Sequence, residues 1–229
     1  MPKFRGFPTG TLRFLRELEQ HNDRAWFAEH KDRYEELVRE PALDFIATMS
    51  PQLFGISEHF VALPKKVGGS LMRVYRDVRF SKDKTPYKTN IGIQFRHELA
   101  ADVHAPGYYL HIDNGGCFLA AGVWRPESSA LAKIRKRISE QPAQWRKAHA
   151  GRAFKSCYTL GGDSLQRPPR GFAVDDPAIE DLKRKDFIAL ADFPARAARS
   201  ADFVKTVACT YRKATPFMVF LCAALEVEF

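Results

Sequence analysis

Between residues 90 and 124 the chain offers three strand-like stretches with no helix-length segment between them, and the first alternates apolar and polar side chains cleanly. Asn90-Ile91-Gly92-Ile93-Gln94-Phe95-Arg96 places Ile91, Ile93 and Phe95 on one face. Tyr108-Tyr109-Leu110-His111-Ile112-Asp113 follows, and then Cys117-Phe118-Leu119-Ala120-Ala121-Gly122-Val123-Trp124. A period of two is the signature of a strand with one face buried. The link through Asn114-Gly115-Gly116 suits a hairpin. Successive strands without intervening helices imply an antiparallel sheet.

The flanks read as helices. Leu12, Leu15 and Leu18 share a helical face, with Thr9 and Thr11 as candidate N-caps. Asn22 or Asp23 caps a second helix, which carries Trp26, Phe27, His30, Tyr34, Leu37 and Val38. Pro41 suits the first turn of a third, carrying Phe45, Ile46 and Met49. Beyond Pro126, Ser128 or Ser129 caps a helix with Leu131, Ile134 and Ile138 inward. Residues 150–175 read as a long loop with short extended pieces, and Asp175-Asp176-Pro177 opens a short helix through Leu182. Phe187-Ile188-Ala189-Leu190 reads as one more strand, and 200–213 and 216–227 as terminal helices. The expected fold is α+β: a central, mainly antiparallel sheet over roughly 58–124, packed with N-terminal and C-terminal helices. With 45% hydrophobic residues, 1–229 suffices for a single domain that needs neither disulfides nor a metal to hold its core.

The net charge of +9 is concentrated. Residues 73–88 carry six basic and two acidic side chains, and 125–155 carry nine and two. A localised excess steers anions: phosphates, carboxylates or nucleic acid. The bland counterpart is a solvated basic surface, which suits the 125–155 block, where Lys133, Arg135, Lys136 and Arg137 fall on a polar helical face. Cys117, Cys157, Cys209 and Cys222 form no CxxC pair, and Cys117, Cys209 and Cys222 lie in apolar runs as buried thiols do. No apolar run follows the basic N-terminal residues, and no stretch approaches the length of a membrane span. These features point to a cytoplasmic protein without a membrane partner.

The most informative segment is 72–88, Met-Arg-Val-Tyr-Arg-Asp-Val-Arg-Phe-Ser-Lys-Asp-Lys-Thr-Pro-Tyr-Lys. A strand through Leu71-Met72-Arg73-Val74-Tyr75, continued to residue 79, would line up Arg73, Tyr75, Asp77 and Arg79 on one face. Cations this close repel one another, and a bound oxyanion relieves the repulsion. Arginine suits that task because its planar fork binds oxyanions bidentately. The expected anion-binding set is Arg73, Arg76, Arg79, Lys82 and Lys84, with Asp77, Tyr87 and His111 as candidates for proton transfer. Tyr109, His111 and Asp113 share a strand face, and an Asp beside a His is the arrangement that orients a general base. The plain alternatives are an internal Arg–Asp network and a hydrogen-bonded strand histidine.

Arg73, Arg76-Asp77, Arg79-Phe80, Asp83-Lys84 and Tyr87 together resemble the hallmark of domain of unknown function 2461, an uncharacterised bacterial and fungal family. Similarity extends through Gly6-Phe7, Leu12, Leu15, Asn22, Arg24, Trp26-Phe27, 108–112, Leu182-Lys183, Lys185 and Phe187. The resemblance implies one domain over nearly the whole chain. It points to the same segment and supplies no catalytic residues.

Gly-rich phosphate loops, dinucleotide fingerprints and nucleophile elbows are missing. No cofactor and no metal are expected, although Asp102, His104, His111 and Asp113 could gather around an ion if the loops brought them together. The reading is an anionic small-molecule ligand held by the basic segment, with enzymatic activity an open question. Two others stand beside it: a nucleic-acid-binding module using 73–88 with 125–155, and a structural or partner-binding protein.

Overall fold

A computed structural model describes residues 4–99 and 105–229. Its centre is a six-stranded antiparallel sheet in the order β1-β2-β3-β4-β6-β5: β1 Phe60–Val61, β2 Ile91–His97, β3 Gly107–Ile112, β4 Cys117–Val123, β5 Thr159–Gly161 and β6 Phe187–Phe193. The fold is α+β, as the alternating pattern requires. Register follows from the pleat. On one face Ile91, Ile93, Phe95, Tyr108, Leu110, Ile112, Leu119, Val123 and Phe187 are buried. On the other face, cross-strand partners form rows: Gly92, His111, Phe118 and Asp192; then Gln94, Tyr109, Ala120 and Leu190; then Arg96, Gly107, Gly122 and Ile188.

Helices cover the buried face. α1 (Thr9–Gln20) and α2 (Arg24–Glu29) lead into one continuous helical rod, in which α3 (Lys31–Tyr34) passes through a π-turn at Glu35–Arg39 into α4 (Glu40–Phe54). After the sheet come α5 (Ser128–Glu140), α6 (Pro142–Ala150), α7 (Arg152–Lys155), α8 (Ile179–Leu182), α9 (Phe203–Lys213) and α10 (Thr215–Ala224). The core joins Phe14, Phe45, Ile46 and Met49 to Trp145, Tyr211, Phe217 and Leu221.

Several expectations change here. Thr11 does not cap α1; it is buried, and its hydroxyl donates to the Leu37 carbonyl at 2.6 Å. Asp23 does cap α2, accepting from Trp26 N at 2.9 Å. Pro41 does stand in the first turn of α4, although the rod runs into that turn without a break. α5 is preceded by Glu127 rather than by a serine cap. Of the three cysteines expected inside, Cys117 and Cys222 are buried but Cys209 is exposed. The expected strand from residue 71 to 79 reduces to two bridges, Leu71 with Ile93 and Tyr75 with Tyr87. Turn geometry replaces the rest, because the side chains of this segment satisfy its backbone.

Candidate functional site: a cleft on the open face of the sheet

The open face carries Gly92, Gly107, Ala120 and Gly122 at neighbouring positions on three strands. Without larger side chains there, the sheet surface becomes the floor of a cleft of about 680 Å3. Its walls are mostly apolar, from Met72, Phe118, Trp124, Ile188 and Leu190. Its polar groups are Lys88, Asn90, Gln94, Tyr109, His111 and Asp192. A largely apolar hollow with a few polar groups is the usual form of a small-molecule site. A second hollow, beside Thr9, Arg13 and Arg16, is lined from α1 and offers no comparable set of groups.

His111 is fixed on three sides. Its Nε2 lies 3.0 Å from Asp113 Oδ2, and its Nδ1 lies 3.1 Å from the Tyr109 hydroxyl and 3.3 Å from Asn90 Nδ2. Its ring stacks on Phe118 at 4.6 Å and 13°. Asp113 closes the hairpin between β3 and β4, its Oδ1 accepting from Gly115 N at 2.8 Å and Gly116 N at 2.9 Å. Burial pushes the Asp113 carboxyl up, but the bonds from His111 and the two glycine amides outweigh it and hold the group below its usual value. Burial raises the Tyr109 phenol to about 12 against the opposing Asn90 bond, so at neutral pH Tyr109 is a donor. With Tyr109 and Asn90 both donating to Nδ1, neutral His111 carries its proton on Nε2 and donates it to Asp113. The three residues form one chain from turn to cleft.

The basic segment is built differently. Arg76 is bound to Asp83 and Thr85, and Arg79 grips Asp77 through Nε at 3.0 Å and Nη2 at 2.7 Å. These bonds lower Asp77 to about 2, chiefly through Arg79, and Asp83 to about 2, chiefly through the Thr85 amide and then Arg76. Lys84 Nζ donates to the Val78 carbonyl at 2.9 Å. The base of the loop is pinned from far away in sequence: the Asn22 amide donates to Tyr87 O and accepts from Tyr87 N, both at 3.0 Å. Tyr87 itself is buried, its ring stacked on Phe27 at 4.1 Å.

Of the residues singled out in the sequence, His111 and Tyr109 line the cleft. Asp77, Tyr87, Arg73, Arg76, Arg79, Lys82 and Lys84 do not. Arg76 and Arg79 are engaged by carboxylates, whereas Arg73 and Lys82 make no ion pair among the described residues. Lys88, at the end of the same segment, does line the cleft and was not picked out. Its signal was the alternation that puts 88, 90, 92 and 94 on the face opposite Ile91 and Ile93. Among the described residues no group of three or more His, Cys, Asp or Glu gathers to hold a metal, and Asp102 and His104 lie outside them. No helix among the described residues is long and apolar enough to cross a membrane.

The model of the family described as "Conserved hypothetical protein (DUF2461)" matches residues 10–220. The chain belongs to that family. No curated protein and no solved structure matches it. The DUF2461 match takes in both the pinned loop and the cleft, so the two features that carry chemical groups lie within the family's own span.

Proposed function

We propose that the protein binds a small organic anion with an apolar body in the cleft over the sheet and exchanges a proton with it through Tyr109 and His111. One observation carries this reading: Lys88, from the basic segment, and His111, from β3, line the same cleft. The apolar walls take the body of the ligand, and Lys88 with neighbouring Arg73 supplies the positive field for its acid group. Tyr109 is the group that meets the ligand. As its hydroxyl takes a proton from the ligand it passes its own to His111 Nδ1, and Asp113 stabilises the charge that develops on the ring. Arg76 and Arg79 take an anion in this reading only by exchanging their carboxylate partners for it.

The test is thermal stability against a panel of aromatic acids, aliphatic acids and phosphates, using wild type, Ala120→Leu, which fills the cleft from its floor, and Arg76→Ala/Arg79→Ala. A ligand at 100 times its Kd stabilises by about 2.7 kcal/mol. Stabilisation of wild type that disappears in Ala120→Leu supports the cleft. Stabilisation kept by Ala120→Leu and lost in the double arginine variant moves the site to the loop and ends this reading.

A second reading has its own observation. Phe80 is 97% exposed at the tip of the basic loop, with the Arg79 guanidinium 5.9 Å from its ring centre. An aromatic ring among cations suits stacking on a nucleobase. Affinity for single-stranded oligonucleotides that falls steeply with salt, and falls again in Phe80→Ala, would favour it over the cleft.

A further inference from the structure

Lys88 occupies an unusual position for a lysine. It lines the cleft with Asn90 and His111, it is half-buried, and among the described residues no carboxylate pairs with it. Its backbone is held, since Lys88 N donates to Val74 O at 2.7 Å, and Tyr87 before it is fixed by Asn22 and Phe27. A surface lysine swings freely in water; this one is anchored at its base beside a proton-transfer chain. We propose that Lys88 is an amine nucleophile that forms an imine with a carbonyl-bearing acid, an oxo acid or aldehyde acid, bound in the cleft. The proposal rests on the cleft reading and names its substrate class.

The chemistry is balanced within the site. The neutral Lys88 amine attacks the carbonyl carbon to form the C–N bond, and the carbonyl oxygen takes a proton from Tyr109 to give a carbinolamine. The nitrogen gives up its extra proton, refilling Tyr109 through His111. The hydroxyl then leaves as water with one further proton from the same chain, the C=N bond forms, and the nitrogen's remaining proton returns to that chain. No electrons are gained or lost, and water is the sole by-product. Burial first, and then the charge of Arg73, lower the Lys88 pKa, the two devices that leave a lysine amine neutral enough to attack. Arg73, charged at any working pH, keeps a positive field for the acid group while Lys88 gives up its own charge.

The experiment is reductive trapping. Wild type, Lys88→Arg and Ala120→Leu are treated at pH 7 with one equivalent of 4-carboxybenzaldehyde and cyanoborohydride, and the adduct is located by peptide mass spectrometry. The expected result is labelling at Lys88 several-fold faster than at exposed lysines such as Lys82 or Lys136, because the cleft holds the aldehyde acid beside an amine that burial leaves more often neutral. Lys88→Arg keeps the charge and gives no adduct at this position or elsewhere in the cleft, and Ala120→Leu slows the labelling. Labelling spread over exposed lysines, or equal at Lys88 with and without the filled cleft, overturns the proposal. If the aldehyde acid raises the melting temperature of wild type but not of Ala120→Leu, and no adduct forms, the cleft reading stands and the imine does not.

Discussion

The Thr11 hydroxyl donates to the carbonyl of Leu37, 26 residues away in sequence, at a site where Pro41 has no N–H to offer that carbonyl. A proline inside a helix costs the bond to the residue four before it. Here α1 supplies the missing donor, and the π-turn at Glu35–Arg39 lets the rod continue. Thr11→Val keeps the shape and removes the donor, leaving a part-buried carbonyl without that partner. The expected loss is about 1–3 kcal/mol in urea unfolding. Thr11→Ser should recover most of it.

Two glycines of the open face should respond in opposite ways. Gly122 has φ +130° and a Cβ there would lie 2.0 Å from the Phe187 carbonyl oxygen, backbone that cannot yield. Gly122→Ala is expected to cost at least about 3 kcal/mol by denaturant midpoint. At Gly92 a Cβ would meet the Tyr109 hydroxyl at 2.8 Å and Met72 Sδ at 3.1 Å, the ends of two flexible side chains. Gly92→Ala should therefore keep the fold while breaking the Tyr109–His111 bond, seen as a changed 15N shift of His111 Nδ1. An unchanged shift would mean that Tyr109 is not held where the geometry places it.

Asp113 ties the hairpin to the histidine. Asp113→Ala removes the acceptor of two backbone amides and of His111 Nε2–H. With the carboxylate partly exposed, the expected cost is about 1–3 kcal/mol. Because its folded pKa is depressed, the stabilisation is complete above the unfolded value and fades as pH falls. Wild type and variant should thus converge in stability in acid and differ most near neutrality.

The loop carboxylates make a sharper pH statement. Asp77 and Asp83 sit at about 2, below the ordinary value near 3.9. A lowered carboxyl stabilises fully above the unfolded pKa, and that stabilisation is lost as pH falls through the folded value. Carboxyl 13C shifts should show both groups ionised at pH 3, titrating near 2. Arg76→Gln should raise the Asp83 midpoint and leave Asp77 alone. Ordinary midpoints for both in wild type would mean the ion pairs do not form in solution.

The three central strands and their hairpin were legible because alternation is a local property of the chain. So were Asp23 as a cap and the strand at 187–190, which extends to Phe193. The continuous rod through Pro41 was not, because its enabling bond comes from Thr11 on another helix. Residues 71–79 looked like a strand because their side chains alternate. Their backbone is claimed instead by the Pro86 carbonyl, which accepts from Arg76 N, by Lys88 N on the Val74 carbonyl and by Lys84 Nζ on the Val78 carbonyl, contacts that periodicity cannot show. The placing of His111 beside Asp113 was legible from the pleat. The part of Lys88 was not, since its neighbours in the cleft belong to strands far along the chain.

Each central strand is read twice, at odd and even positions, once by the core and once by the cleft. The two sets are separated by a single residue of register, so a slip of one position would bury Tyr109 and His111 and expose Leu110 and Ile112. What prevents the slip is the turn clasped by Asp113, the same carboxylate that orients His111. Substitutions at Gln94, Ala120 or Leu190 can then reshape the cleft while the opposite face holds the fold, which leaves the shape of the cleft free to drift with little cost in foldedness.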